Sequence, residues 1–396
     1  MKSFKLLLLF LVLGFNSNAQ NDFDISLNSK ILETERKIKI HLPKSYEKNK
    51  EKNYPMILVL DAEHTFYFTV GNTEIMYDPD PDFEVIPETI VVGIYQNYSL
   101  DGTTYNYVRG SDASWDRKTG EFSKSSSKFY DFIENELLVY LIDKYRIGEF
   151  KAILGHSLTA SFIGSIILEK NNNFDAYILL SPNLLDFKSN LFDNIENGIQ
   201  NKLVYLCTSD YDMTGHKSSI TKLNDEHFSI SDFEKTHYKF QIFKDENHIS
   251  LINRSIPFAI EHIFKLYQPI NSLDEEAFFS NENKIDFLNN LYESSNQLYG
   301  TNRKIRDTDL EELADIAIKR KDWLALKEIA DLDIKLHPNS ETGYYSRARF
   351  EENYNKDLKL ALKYFKKGYS KLEPEVMNKA DWYKEIERVE KLIEKK

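Results

Sequence analysis

Phe150-Lys151-Ala152-Ile153-Leu154 runs directly into Gly155-His156-Ser157-Leu158-Thr159-Ala160, and an apolar, helix-like stretch continues to Leu168. The apolar run predicts a strand, the glycine and serine a tight turn, and the continuation a helix. Strand, serine-bearing turn and helix together make a nucleophile elbow. The turn pushes the serine hydroxyl outward, and the first helical amides point at whatever sits above it. Ser157 is therefore the candidate nucleophile.

A serine hydroxyl attacks poorly until a neighbouring imidazole takes its proton, and that imidazole needs a carboxylate to fix its tautomer. Asp245-Glu246-Asn247-His248 closes another strand-like run, Phe240-Gln241-Ile242-Phe243, and offers His248 as the base. Between serine and histidine stands Leu206-Cys207-Thr208-Ser209-Asp210-Tyr211-Asp212. Its end supplies Asp212 as the orienting acid, with Asp210 as the rival. The oxyanion formed on attack needs two preorganised N–H donors. One is expected from Leu158, immediately after the nucleophile. The other is expected from the loop Leu60-Asp61-Ala62-Glu63-His64, at Asp61 or Ala62.

The N-terminus reads as an address. Lys2 and Lys5 precede an apolar run from Leu6 to Phe15, and Ser17-Asn18-Ala19 places small residues before a cleavage point. Residues 1–19 are expected to be a signal peptide, leaving a periplasmic or secreted protein. The run is too short to span a bilayer, so no transmembrane segment is expected. The formal net charge of the 396 residues is −12. Such acidity disfavours nucleic acid and anionic membrane surfaces as partners, and neither is expected. The single cysteine, Cys207, lies in an apolar run and has no partner for an internal disulfide. It reads as a buried apolar side chain, and a large core must supply the stability.

From Asn21 to about Gln268, short apolar runs alternate with amphipathic segments, which predicts an α/β sandwich of three layers around a mostly parallel sheet. Lys37 to Leu42 alternates like an exposed antiparallel strand. Met56 to Leu60 and Thr89 to Ile94 are continuous runs, as in strands buried on both faces. Phe129 to Tyr145 and Leu158 to Leu168 read as helices, Ala176 to Leu180 and Leu203 to Cys207 as further strands, and Ile256 to Tyr267 as a closing helix.

Composition changes after Pro269. Residues 270–396 show helical periodicity, with two similar segments ending Leu336-His337-Pro338 and Leu372-Glu373-Pro374. Their spacing is close to the tetratricopeptide period of about 34 residues. The expected domains are thus 20–269 and a small all-α repeat unit, 270–396. Its expected core includes Trp323, Leu326, Tyr345, Ala348, Leu360, Tyr364 and Phe365. It is expected to lean on the first domain through Phe278, Phe279, Phe287 and Leu291, and to shape the cleft or dock a protein partner.

Other candidates carry less. His64 beside Glu63 lacks a second histidine at ligand spacing, so no metal and no cofactor is expected. Asp78-Pro79-Asp80-Pro81-Asp82 clusters carboxylates as a calcium loop does, but its prolines fit a stiff solvated loop better. Arg109 and Trp115 stand in a polar stretch before the Phe129 helix, as residues gripping substrate or as surface residues.

Tyr54-Pro55-Met56-Ile57-Leu58-Val59-Leu60-Asp61, Val91-Val92-Gly93-Ile94, Gly155-His156-Ser157-Leu158, Ser181-Pro182-Asn183-Leu184 and Glu246-Asn247-His248 occur in that order. Together they resemble the esterase family that includes enterobactin-type siderophore esterases, feruloyl esterases, mycolyltransferases and S-formylglutathione hydrolase. The resemblance covers roughly Asp24 to Gln268. It implies an α/β-hydrolase fold, a metal-independent serine mechanism, and a small-molecule or glycan-linked ester as substrate. It also implies that His156, Arg109, Trp115 and the Ser181-Pro182 turn line the substrate site. One departure stands out: the family usually has Gly-Gly where this chain has Thr159-Ala160. A branched residue there weakens close packing of helix on strand. It keeps open a second reading, an inactive hydrolase fold serving as a scaffold through its helical tail.

Overall fold

The structure, a computed structural model, describes residues 21–80, 82–99, 105–115, 122–169, 172–184, 202–225, 238–372 and 379–395. The leader 1–19, Pro81 and the second Leu-Glu-Pro ending lie outside them, apart from Leu372. Eight strands form one sheet: β1 (Asp22–Ser29), β2 (Thr34–His41), β3 (Tyr54–Val59), β4 (Ile90–Ile94), β7 (Ile147–His156), β8 (Ala176–Leu180), β9 (Leu203–Tyr211) and β10 (Tyr238–Asn247). The order is β1-β2-β4-β3-β7-β8-β9-β10. β2 pairs antiparallel with both β1 and β4, and every later pair is parallel. A two-stranded hairpin, β5 (Asn97–Ser99) with β6 (Tyr105–Tyr107), stands apart.

The burial patterns explain the order. β3, β4 and β8 are buried at every residue, because they sit inside the sheet with helices on both faces. On one face lie the helices Lys124–Phe132, Leu138–Lys144 and Leu158–Leu168, packing Phe129, Phe132, Leu141, Phe162 and Ile166 onto Ile153 and Leu179. A π-helical turn, Ile133–Leu137, joins the first two. On the other face the helices Ala62–Met76 and Ser250–Ile263 cover Ile57, Val91 and Leu154 with Phe66, Ile256 and Ile260. This is the expected three-layer α/β-hydrolase sandwich. Lys37–Leu42 is antiparallel as expected but mostly buried and not exposed, because β1, which has no continuous apolar run, covers it as the edge strand.

Beyond Pro269 the chain is helical: Ser272–Ser280, Lys284–Tyr299, Asp307–Arg320, Trp323–Leu336, Thr342–Phe350 continuing to Asn355, Leu358–Tyr369 and Lys379–Glu394. The same turn recurs between paired helices. Lys321 and Lys356 both adopt the left-handed conformation, and Asp322 and Asp357 both cap the following helix. Leu326, Ala348 and Phe365 are fully buried, with Trp323, Tyr345 and Tyr364 packed around them, while Leu360 is only half-buried.

Docking onto the sandwich does not follow the expected route. Phe278, Phe279 and Phe287 pack within the helical layer itself, and Leu291 is half-buried outside the clusters. Tyr299 instead enters the sandwich core, its ring 5.0 Å from Phe150 and 5.3 Å from Phe264. The fully buried Arg306 donates to the carbonyls of Glu84 and Tyr267. Asp82 Oδ1, from the Asp-Pro loop, accepts the Asp307 amide at 2.9 Å and caps that helix.

Candidate active site

β7 delivers the elbow. Ser157 adopts φ 58° and ψ −115°, a strained conformation for a non-glycine residue, and its amide donates to Leu180 O at 2.8 Å. The helix begins at Leu158, so tightly against the strand that a Cβ on Gly155 would lie 2.8 Å from the Thr159 carbonyl carbon. Only glycine allows that approach. The close contact is thus met at Gly155, and Thr159 has another use. Its hydroxyl donates to Asp61 Oδ2 at 2.8 Å and accepts the His156 amide at 3.0 Å. The branched residue that departs from the family pattern ties the elbow to the loop after β3.

That loop shows which amide is available. Asp61 sits in the left-handed region, and its own amide donates to Gln96 Oε1 at 3.1 Å. Asp61, expected as one of two oxyanion donors, is therefore already committed. Ala62 N and Leu158 N, each the first amide of a helix, have no partner among the described residues. The buried Asp61 carboxylate is gripped by Arg109, Nε to Oδ1 at 2.7 Å and Nη2 to Oδ2 at 3.0 Å. Arg109 Nη2 also donates to His156 O at 2.9 Å.

β9 and β10 bring acid and base together. The Asp212 side chain is fully buried and its Oδ1 lies 2.7 Å from His248 Nδ1. Oδ1 also accepts the Met213 amide at 2.8 Å, and Oδ2 accepts the hydroxyls of Ser181 and Thr208, each at 2.7 Å. Burial alone would raise the pKa of Asp212. The hydrogen bonds from His248, Ser181, Thr208 and Met213 outweigh it and hold the carboxyl below the usual range. Asp212 is therefore a fixed negative charge. With Nδ1–H donated to it, His248 keeps Nε2 free to take a proton. Asp210 points away, half-exposed and paired with Lys217 at 3.5 Å.

Two further histidines flank the base. His156 donates Nε2–H to His248 O at 2.7 Å, with the rings 4.6 Å apart. Burial and the neighbouring His248 pull its pKa down to about 3, so it stays neutral. His216, from the helix Thr214–Leu223, packs edge-on at 5.0 Å and donates Nδ1–H to Ser181 O at 2.8 Å. No spacing pattern in the sequence draws attention to His216.

Ser157, His248, His156 and Arg109 line one cleft of about 800 Å³ together with His64, Phe68, Ile249 and Ile252. Its lining ends at Asn253, so no described residue of the helical region forms a wall of it. A larger cavity of about 920 Å³ lies between Asn53, Tyr267, Arg303 and Arg306 but is lined by no serine, whereas the candidate nucleophile and base line the smaller one. Trp115 is half-buried, bridges to Phe122 and packs on the sandwich core. Ser181 and Pro182 are buried and outside the cleft, with Ser181 behind the acid and base instead of facing substrate. Among the described residues no group of three or more His, Cys, Asp or Glu could hold a metal ion. Cys207 is buried, and burial pushes its thiol up to about 12, too high for a nucleophile.

Fold and site together define a serine hydrolase of the α/β-hydrolase class. Residues 29–199 match the family model described as "Putative esterase", and the resemblance carried by the motifs stands: the chain is an ester-hydrolysing enzyme of the serine type. None of the curated proteins matches it. Among solved structures, an uncharacterised protein from Capnocytophaga ochracea DSM 7271 is similar at 21% identity and a TM-score of 0.69, over 93% of this chain and 99% of that one. An IroE-like serine hydrolase from Shewanella oneidensis is similar at 19% identity and a TM-score of 0.56, over 76% of this chain and 95% of that one. The BES protein from Bacillus cereus follows at 21% identity and 0.52, over 66% and 98%. At these identities the likeness shows the fold. The first of them extends it through most of the helical region.

Proposed function

We propose that the chain is an exported carboxylic-ester hydrolase working through an acyl-enzyme on Ser157. Ser157 Oγ attacks the ester carbonyl carbon while its proton passes to His248 Nε2. The oxyanion rests on the amides of Leu158 and Ala62. Collapse breaks the bond to the alcohol oxygen, and His248 returns the proton to that leaving group. Water, deprotonated by His248, then attacks the acyl carbonyl and frees Ser157. Asp212 holds the imidazole and its positive charge throughout. The observation that carries this reading is the 2.7 Å contact between the fully buried Asp212 side chain and His248, in the cleft that Ser157 enters. The natural substrate is a siderophore-linked or polysaccharide-linked ester.

The reading assigns residues 1–19 to a signal peptide that sends the protein to the periplasm or outside the cell. It assigns 20–269 to the esterase domain and 270–396 to a tetratricopeptide-like domain. Among the described residues no helix is long and apolar enough to cross a membrane. The scaffold alternative drew its support from Thr159 and the helical tail, and Thr159 hydrogen-bonds within the elbow and to Asp61.

The test is covalent labelling of the purified protein with a fluorophosphonate, together with hydrolysis of p-nitrophenyl acetate. Ser157→Ala is expected to abolish labelling and cut turnover by roughly 10⁴-fold or more, because the triad acts as a unit. Its thermal unfolding should match the wild type. Unchanged turnover in the variant would overturn the mechanism.

A further inference from the structure

We propose that Ser181 and His216 form a brace that positions the Asp212–His248 pair, Ser181 by its hydroxyl and His216 by holding the Ser181 backbone. The proposal rests on the serine-hydrolase reading and adds two positioning residues to it.

The Ser181 hydroxyl occupies the gap between acid and base. It donates to Asp212 Oδ2 at 2.7 Å and lies 3.0 Å from His248 Nδ1, where its lone pair accepts a share of the same N–H that bonds Asp212 Oδ1. One atom thus touches both partners and fixes the carboxylate plane relative to the ring. The carboxylate's other supports, Thr208 and the Met213 amide, reach Asp212 alone. Ser181 is fully buried and outside the cleft, so it acts through the pair and not on substrate.

This placement needs an uncomfortable backbone. Ser181 has φ 49°, in the left-handed region that costs a non-glycine residue about 1 kcal/mol or more. Two hydrogen bonds hold it there: its amide donates to Cys207 O at 2.9 Å, and its carbonyl accepts His216 Nδ1–H at 2.8 Å. Burial, aided by the neighbouring His248, lowers the pKa of His216, so it stays a neutral donor as His248 gains its proton. His216 thereby pins the turn that carries the Ser181 hydroxyl.

Fluorophosphonate labelling of the full-length protein tests this, because it reports both how many sites react and how fast each reacts. Ser181→Ala and His216→Phe should each label to the wild-type stoichiometry but about tenfold more slowly per site, roughly the effect of one hydrogen bond to a charged group. Ser181→Gly, whose backbone accepts φ 49° freely, separates hydroxyl from strain and should be as slow as Ser181→Ala. The double variant Ser181→Ala/His216→Phe should be no slower than Ser181→Ala, since His216 acts through Ser181. Wild-type rates in Ser181→Ala and Ser181→Gly would overturn the brace. So would a loss that appears as fewer reactive sites, which marks a folding defect, or independent multiplicative losses in the double variant. A wild-type protein that the probe never labels would instead refute the serine-hydrolase reading, and the brace with it.

Discussion

Replacing Tyr299 by alanine tests whether the helical region is an appendage or part of the sandwich core. The ring is fully buried in the layer that covers Phe150, Phe264 and Tyr267, and its hydroxyl donates to Ile263 O at 3.0 Å. An aromatic side chain of this size removes about 150–250 Å² from water. At about 25 cal/mol per Å² that area is worth roughly 4–6 kcal/mol. Truncating a buried aromatic ring to alanine costs about 3–5 kcal/mol once partial collapse of the cavity is included. The expected loss for Tyr299→Ala is therefore about 4 kcal/mol, against a typical total stability of about 5–15 kcal/mol. Tyr299→Phe keeps the ring and loses one hydrogen bond, for about 1 kcal/mol. Urea unfolding of the full chain, followed by circular dichroism, reads both. A Tyr299→Ala variant within 1 kcal/mol of Tyr299→Phe would refute the claim that this ring completes the core. The same packing bears on truncation. A fragment ending at Gln268 retains every described cleft residue but uncovers Phe150, Phe264 and Tyr267, so it should keep its chemistry and lose stability.

Asp333 is 1% exposed, and burial, with Asp307 beside it, raises its carboxyl pKa from 3.8 to about 9. The folded state thus holds a proton that the unfolded chain releases, and stability should fall as pH rises from about 4 to about 9. Asp333→Asn, which needs no proton, should raise the thermal midpoint at pH 7 and flatten its pH dependence; equal midpoints at pH 7 and 8 would contradict this. Thr159→Val keeps shape while stranding the buried His156 amide and leaving Asp61 Oδ2 to Arg109 alone, so it should cost about 2 kcal/mol. Denaturant unfolding of that variant within 0.5 kcal/mol of wild type would show that the hydroxyl does not tie elbow to loop.

How far the sequence could be read depends on how locally each feature is determined. The elbow was legible because strand, turn and helix are adjacent, and Leu158–Leu168 and Ala176–Leu180 fall where the apolar runs predict them. β1 was not legible: as an edge strand it needs few apolar residues, and its pairing with β2 supplies the order. The helix Ala62–Met76 escaped notice because it is nearly as apolar on one side as on the other. Spacing leaves Asp212 and Asp210 as candidate acids, and only the register of β9 against β10 shows which of them meets His248. Tyr211 pairs with Asn247, and the residues that follow each strand, Asp212 and His248, therefore meet. The oxyanion amide shows the opposite limit. Which of Asp61 and Ala62 is free depends on Gln96, a side chain from another strand end that no local pattern connects to the loop. The docking of the helices was misread for a similar reason. Phe278, Phe279 and Phe287 are conspicuous in sequence, yet their helices bury them on their own neighbours, and the junction is carried by Tyr299, by Arg303 and the buried Arg306, and by Asp82. An apolar residue identifies the need for burial but not the partner. Arg306 could serve here because its hydrogen bonds go to backbone carbonyls of the sandwich, Glu84 O in a loop and Tyr267 O at the end of a short helical turn, the second of which Arg303 also reaches, at 2.6 Å. The helical region therefore satisfies polar groups of the esterase core as well as covering its apolar ones. That is a reason for the two parts to fold as one cooperative unit, although no described residue of the helical region lines the cleft.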